Sequence, residues 1–435
     1  MSDWIGAPSG PLCGELRVPG DKSISHRAIM LAALAEGVTH IHGFLEGEDT
    51  LATAEAFAQM GVRIDVPQSG TRVVHGVGLH GLRGPNAAID CGNAGTGMRL
   101  LSGILAAQTF DSTLIGDASL SRRPMQRVIE PLMKMGAQIR AGEGGLPPLR
   151  FGGGRVLHGI DYTVPVASAQ VKSAILLAGL YAHGTTRVCE PHPTRDYTER
   201  MLADFGWPVE FGDGWGQLQG GHRLHASDID VPADFSSAAF FLVAATLVPG
   251  SELCLRGVGM HPRRTGLLRV LQAMGADIHQ SDPRTCGGGA VVDLIVRHAP
   301  LHGIDVPVEA VADMIDEFPI LFVAAALAQG TTRIRGAAEL RVKESDRIAV
   351  MARALRALGI RIEESPDGAT IKGGRLVGSD ADAAGDHRCA MSLAVAAQCA
   401  GAEVRIRDCA NVATSFPGFV ETAVDCGFGL KVGAG

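Results

Sequence analysis

Apolar residues in this chain gather into runs that recur at a regular distance. Three of these runs are VPGDKSISHRAIMLAALAEG from Val18, CGNAGTGMRLLSGILAAQ from Cys91 and VPVASAQVKSAILLAGLYAHG from Val164. The other three are VPADFSSAAFFLVAATLVPG from Val231, DEFPILFVAAALAQG from Asp316 and AGDHRCAMSLAVAAQCAG from Ala384. Each reads as a polar or Pro/Gly turn followed by a helix rich in Ala and Leu. Five of them run to a glycine (Gly37, Gly184, Gly250, Gly330, Gly401), the residue expected just past a helix end. A second helix follows in every unit and stops before Gly61, Gly136, Gly206, Gly275, Gly359 and Gly427, spaced 68 to 84 residues apart. Short strand-like runs come next, among them VRIDV, AQIRA, ADIHQ and IRIEE.

Six units of strand, helix, strand, helix and strands account for the chain and place it in the α/β class. The first helix of each unit is apolar on nearly all sides, as in Ala174–Leu180 and Ile320–Leu327, so it must be buried on most of its surface. That inverts the common layering and puts helices inside and sheets outside. Three units per lobe predict two similar lobes with a boundary near Pro232. One apolar helix would mean little; six pairs in register are not chance.

Composition narrows the class. The 435 residues are too many for one ordinary core, and 46% hydrophobic with 57 Gly and 5% aromatic residues describes a globular chain with cores of small side chains. The net charge is −7, with no basic block suited to nucleic acid or a membrane surface, so cations that matter must be concentrated locally. The opening MSDWIGAPSGPLCG has no charged and apolar leader pattern, and the apolar runs fall short of a membrane span. Nine cysteines without a C-x-x-C pair point to reduced thiols in a cytoplasm rather than a zinc site.

The polar turns ahead of the first helices hold the candidate chemistry. Lys22, Ser23 and Arg27 stand at the first, Asn93, Gly95, Thr96 and Arg99 at the second, and Ser168, Ala169 and Gln170 at the third. Asp316 stands at the fifth, and His387 with Arg388 at the sixth. Cations also open second helices: Arg122 with Arg123, Arg195, and Lys343 with Arg347. Helix N-termini present unpaired N–H groups and a positive dipole end, and arginine matches phosphate and carboxylate with two parallel bonds. A cationic cleft for small polyanions is the expectation.

Ordinary readings compete at each position. Asp21 or Ser23 caps a helix as readily as it binds a ligand. CGNAGTG fits neither the dinucleotide nor the P-loop pattern. His26 and His387 lack metal-spaced partners, Ser23 with His26 lacks the acid of a triad, and KESDR from Lys343 could be a solvated helix start. Recurrence at equivalent ends of repeated units lifts these residues above such readings.

Together, PGDKSISHRA, GNAGTGMR, SRRPM, ASAQVKSA, RVKESDR and DHRCAMS resemble the 3-phosphoshikimate 1-carboxyvinyltransferase (EPSP synthase) family, from about Leu16 to Val420. The resemblance implies an enolpyruvyl transferase fold of two inside-out α/β lobes with three repeats each. It divides the chain into 21–233 and, because the family's N-terminal strand crosses over, 1–20 with 234–435. The implied reaction moves the enolpyruvyl group of phosphoenolpyruvate to the 5-hydroxyl of shikimate 3-phosphate, with no metal or cofactor and with a monomeric cytoplasmic enzyme. By matching motif, Lys22, Ser23, Arg27, Ser168, Ala169, Gln170, Arg195, Asp316 and Lys343 would bind shikimate 3-phosphate. Lys22, Gly95, Arg123, Gln170, Glu344, Arg347 and Arg388 would bind phosphoenolpyruvate. Asp316 would take the 5-hydroxyl proton, Glu344 would protonate the methylene, and Lys22 would serve both substrates.

Two positions depart from many family members: Ala169 stands for a second Ser and Thr414 for a Lys, a combination similar to the family's class II branch. Insensitive members of that branch carry Ala at the loop glycine; Gly95 is retained here, so glyphosate is expected to bind. Two rivals remain. The sister enzyme acting on UDP-N-acetylglucosamine shows Lys-Asn where Lys22-Ser23 stands and carries a loop cysteine, a role for which Cys91 lies too close to the helix start. A non-catalytic anion-binding scaffold would have no use for Asp316 and Glu344.

Overall fold

The first helix of each repeat is buried on nearly all sides, and the second is buried less completely; that alternation organises the molecule. The computed structural model describes residues 3–287 and 289–433, with twelve α-helices among the described residues. The contacts divide the chain into two compact units, Gly20–Val231 and Met1–Pro19 with Pro232–Gly435.

In the unit Gly20–Val231 the helices are α1 (Lys22–Leu34), α2 (Glu48–Gln59), α3 (Gly95–Leu105), α4 (Gln126–Lys134), α5 (Ala169–Gly179) and α6 (Tyr197–Asp204). Every residue of α1 from Ile24 to Leu34 is buried, whereas α4 buries only Val128, Ile129, Pro131 and Leu132. The core therefore sits around α1, α3 and α5, which pack on one another. Small residues permit this: a Cβ on Gly103 of α3 would lie 2.1 Å from the carbonyl oxygen of Ala174 in α5. Each repeat here adds one four-stranded sheet with a parallel pair at one edge and antiparallel pairs beyond. The first runs Ile229–Asp230, Glu36–His42, Thr71–Val77, Arg63–Asp65.

The other unit holds α7 (Phe235–Leu247), α8 (Gly266–Ala273), α9 (Phe318–Leu327), α10 (Arg347–Ala357), α11 (His387–Gln398) and α12 (Phe419–Asp425). Its core is built on α7, α9 and α11. Side chains such as Phe241, Phe318 and Phe322 are almost fully buried, each contributing about 1.5–3 kcal/mol. Trp4–Ala7 lies antiparallel between Val404–Arg407 and Gly429–Val432, and Cys13–Leu16 lies parallel to Glu252–Gly259. No helix among the described residues is long and apolar enough to cross a membrane.

The glycines behave differently in the two helix sets. All six second helices end on a glycine with positive φ, from Gly61 (90°) to Gly427 (106°). In each, the glycine N–H and the next N–H bond back to carbonyls of the last turn, as in Gly61 to Ala58 (3.0 Å) and Val62 to Phe57 (3.0 Å). This is the paired C-terminal cap that a left-handed residue permits. The first helices do not end this way, which corrects the expectation for Gly37, Gly184, Gly250, Gly330 and Gly401. In α1, α7 and α9 the capping residues Ala35, Val248 and Ala328 are extended and lead directly toward a strand. Gly250 and Gly330 take positive φ two residues later, where the chain turns, and Gly37 takes it within the strand Glu36–His42. Gly184 takes it four residues after Leu180, and Gly401 has no positive φ.

Candidate active site

Two constellations of polar side chains form, one in each unit, at the N-terminal ends of the buried helices. In Gly20–Val231, Asp21 caps α1 by accepting from the Ile24 N–H at 2.9 Å, so the sequence's competing reading of Asp21 as a cap holds. The adjacent Lys22 Nζ lies 2.5 Å from Asp49 in the first turn of α2. Ser23 is half-buried, and its carbonyl accepts from Arg27 Nη1 at 2.9 Å. Arg27 is buried and also donates from Nε to Thr198 Oγ1 (2.7 Å) and from Nη2 to Ser173 Oγ (2.8 Å). Burial, then the charge of Arg195, lower its pKa to about 10. His26 is buried against Thr53, 2.8 Å away, and desolvation pushes its pKa down, so it is a core histidine.

Around the start of α3, Arg99 donates to Gln170 Oε1 (2.9 Å), and Gln170 Nε2 donates to Thr96 Oγ1 (2.8 Å). Arg123 donates to Asn93 Oδ1 (2.8 Å) and Ser119 Oγ (3.2 Å). A Cβ on Gly95 would stand 3.0 Å from terminal nitrogens of both Arg123 and Arg99. Here a side chain is disfavoured by the close approach of two guanidinium groups, which would have to shift by a few tenths of an ångström, rather than by φ. Ser168 caps α5 through Val171 N–H (3.4 Å), with Ala169 buried behind it. Arg195 stands in the turn before α6, and Arg122 ends the short turn before Arg123.

In the other unit Asp316 precedes α9. Its carboxylate lies 3.4 Å from Arg264 Nη1 and 3.8 Å from Arg347 Nη1, and its carbonyl accepts from Arg388 Nη1 at 3.2 Å. Arg347, 2% exposed, opens α10 and donates to Glu344 Oε2 (2.6 Å) and Asp386 Oδ2 (2.9 Å). Asp386 also caps α11, accepting from Arg388 N–H at 2.9 Å. Burial raises the Asp386 pKa, yet Arg347 outweighs it and holds the group below the ordinary carboxylate value. Glu317 is driven the other way: burial, with Asp316 beside it, raises its pKa despite Arg264 and Arg388. Burial lowers the Lys343 pKa, although its side chain keeps 24% exposure and Asp316 and Glu339 oppose the shift. Among the described residues no group of three or more His, Cys, Asp or Glu is arranged to hold a metal ion.

The family model for EPSP synthase (3-phosphoshikimate 1-carboxyvinyltransferase) matches residues 7–423. The chain belongs to the EPSP synthase family. Among its relatives, the 3-phosphoshikimate 1-carboxyvinyltransferase of Xanthomonas axonopodis pv. citri (strain 306) is 61% identical over 428 residues, 98% of this chain and 97% of that protein. That of Xanthomonas campestris pv. campestris (strain B100) is also 61% identical, with 98% of each covered. A solved EPSP synthase from Acinetobacter baumannii superposes with TM-score 0.90 at 49% identity, covering 100% of both chains.

Within the family fold, the sequence-expected residues Lys22, Gly95, Arg123, Gln170 and Arg195 lie in one unit, and Asp316, Lys343, Glu344, Arg347 and Arg388 in the other. Sequence reasoning missed their partners: Asp49, Asp234, Arg264, Glu317 and Asp386, besides a buried Lys172 with Glu190 and Glu199. One of them had a signal. Arg263-Arg264 precedes α8 as Arg122-Arg123 precedes α4, so comparison of repeats would have found Arg264. Asp234, 2.9 Å from Arg264 Nη2, had only its position as a helix cap.

Proposed function

We infer that this chain transfers the carboxyvinyl (enolpyruvyl) group of phosphoenolpyruvate to the 5-hydroxyl of shikimate 3-phosphate and releases phosphate, in the shikimate pathway to aromatic amino acids. The observation that carries the chemistry is the pair of carboxylates on one buried arginine. Arg347 reaches Glu344 at 2.6 Å and Asp316 at 3.8 Å, with Arg264, Arg388 and Lys343 around them. Two carboxylates in different surroundings can act as separate acid and base.

In the proposed mechanism Glu344 gives a proton to the methylene carbon of phosphoenolpyruvate, and the adjacent carbon becomes cation-like. The 5-hydroxyl oxygen bonds to that carbon while Asp316 takes the hydroxyl proton. The tetrahedral adduct then breaks its bond to the phosphate oxygen. Phosphate leaves, protonated from Asp316, and the methyl group returns its proton to Glu344. We assign Ser23, Arg27, Ser168, Ala169, Gln170, Arg195 and Lys343 to shikimate 3-phosphate. Gly95, Arg123, Gln170, Arg347 and Arg388 go to phosphoenolpyruvate, and Lys22 to both. Arginines and lysines neutralise the phosphates, so no step calls for a metal. The proposal extends to a monomeric cytoplasmic enzyme, a compartment that suits scattered cysteines.

Cys91 argues against the sister reaction on UDP-N-acetylglucosamine. It is 3% exposed, and burial pushes its thiol up to about 12, which leaves no thiolate for catalysis. The deciding experiment is phosphate release from phosphoenolpyruvate with each acceptor. Release dependent on shikimate 3-phosphate is expected; release only with the nucleotide sugar would move the chain to the sister reaction, and none with either would favour a binding scaffold.

A further inference from the structure

Lys172 lies within ASAQVKSA but has been given no role above, and its side chain is 1% exposed and packed against two carboxylates. Its Nζ reaches Glu190 at 2.8 Å and Glu199 at 2.9 Å, and both of those side chains are also buried. Two carboxylates and one ammonium removed from water are costly unless each is paired. Lys172 is the cation paired with both Glu190 and Glu199, although burial still raises the Glu199 pKa above the ordinary carboxylate value.

The next residues on the same two helices form a second tie. Ser173 on α5 and Thr198 on α6 share a hydrogen bond of 2.7 Å, and Arg27 of α1 donates to both, at 2.8 and 2.7 Å. Lys172–Glu199 and Ser173–Thr198 are thus two adjacent cross-links between α5 and α6. Glu190 extends the first toward the helix starts. It accepts from the Ser168 N–H at 3.0 Å and from the Thr194 hydroxyl at 2.7 Å, one residue before Arg195. Burial lowers the Lys172 pKa, and Glu199 and Glu190 more than offset it, which keeps the ammonium charged.

We propose that Lys172 is a positioning residue for shikimate 3-phosphate: through Glu190 and Glu199 it fixes Ser168 at the start of α5 and the turn that carries Arg195. The inference rests on the assignment of those residues to that substrate. It goes beyond the assignment because Lys172 itself is sealed off from any ligand and acts only through its two carboxylates. A cation here also shields an incoming phosphate from the negative charge of Glu190.

The test compares Lys172→Met with wild type by equilibrium titration of shikimate 3-phosphate and by steady-state kinetics. A charged hydrogen bond lost behind the site corresponds to a rise in Kd for shikimate 3-phosphate of about tenfold or more. The KM for phosphoenolpyruvate, measured at saturating shikimate 3-phosphate, is expected to stay within about twofold. Glu190→Gln keeps the side-chain volume and an acceptor for Ser168 but weakens the tie to Lys172. It is expected to raise the same Kd severalfold, and it serves if Lys172→Met does not fold. Variants that melt at lower temperature yet bind shikimate 3-phosphate like wild type would overturn the inference, as would equal losses toward both substrates. A wild-type protein that releases no phosphate with shikimate 3-phosphate would instead remove the assignment beneath it.

Discussion

In the unit on α7, α9 and α11 every buried helix starts on a carboxylate: Asp234, the pair Asp316 and Glu317, and Asp386. Arg264, Arg388 and Arg347 meet them. In the unit on α1, α3 and α5 only α1 does so, through Asp21, while α3 follows Ala94 and α5 follows Ser168. One repeat thus carries two chemistries. A helix N-terminus favours an ionised carboxylate, and buried arginines keep such groups charged. Under the proposed mechanism the carboxylate-rich unit moves the protons, and the other unit contributes helix starts and cations to the anionic ligands.

The sharpest way to break this comparison is to neutralise one carboxylate and watch which property fails. Asp316→Asn keeps the shape of the side chain and removes the proposed base. Turnover is expected to fall by about 10²–10⁴, the usual contribution of a positioned acid or base, with shikimate 3-phosphate still bound. Titration calorimetry and steady-state kcat check the two halves separately. Turnover near wild type would take Asp316 out of the reaction.

The corresponding probe in the cationic unit is Gly95→Ala. The added methyl would sit 3.0 Å from terminal nitrogens of Arg99 and Arg123, so those guanidinium groups must shift by a few tenths of an ångström. If Arg123 holds phosphoenolpyruvate, its KM should rise by about tenfold, while the Kd for shikimate 3-phosphate hardly moves. A variant with both constants unchanged would show that the guanidinium positions around Gly95 do not matter to binding.

The parts of this architecture that were legible in the sequence are those written in local patterns. The helices from Phe235 and Phe318 have no polar face to hide and that from Lys22 is apolar after Arg27, and the glycines after the second helices mark a backbone conformation that few other residues adopt. The glycines after the first helices do not cap them because the same residue also serves turns and strand starts, as Gly37 does within Glu36–His42. Candidate cations such as Arg123, Arg347 and Arg388 stood out at repeated positions. Their partners did not, because a buried Asp386 or Asp234 looks in sequence like any helix cap. Lys172 was the least legible: in AQVKSAIL nothing distinguishes a lysine sealed between two glutamates from one that reaches solvent, since Glu190 and Glu199 come from later elements.

The smallest effect expected concerns what the carboxylate-rich unit gives up in stability. Glu317 is 3% exposed; Ser236 Oγ donates to it, and Arg388 Nη1 stands 3.9 Å away. Burial and the neighbouring Asp316 raise its pKa above the ordinary 4.5. A raised folded-state value means that the protonated form is favoured by folding. The associated stability is complete below the unfolded value and is lost as pH rises through the folded one. Glu317→Gln preserves the acceptor for Ser236 and cannot ionise. Its stability relative to wild type, read from denaturant midpoints, should therefore grow from about pH 4.5 upward and then level off. A gap that stays constant up to about pH 8 would mean that Glu317 ionises as easily in the folded chain as in the unfolded one. A growing gap would mean that this unit keeps an unfavourable carboxylate beside Asp316, a cost expected at a reacting centre and not in a unit that only binds.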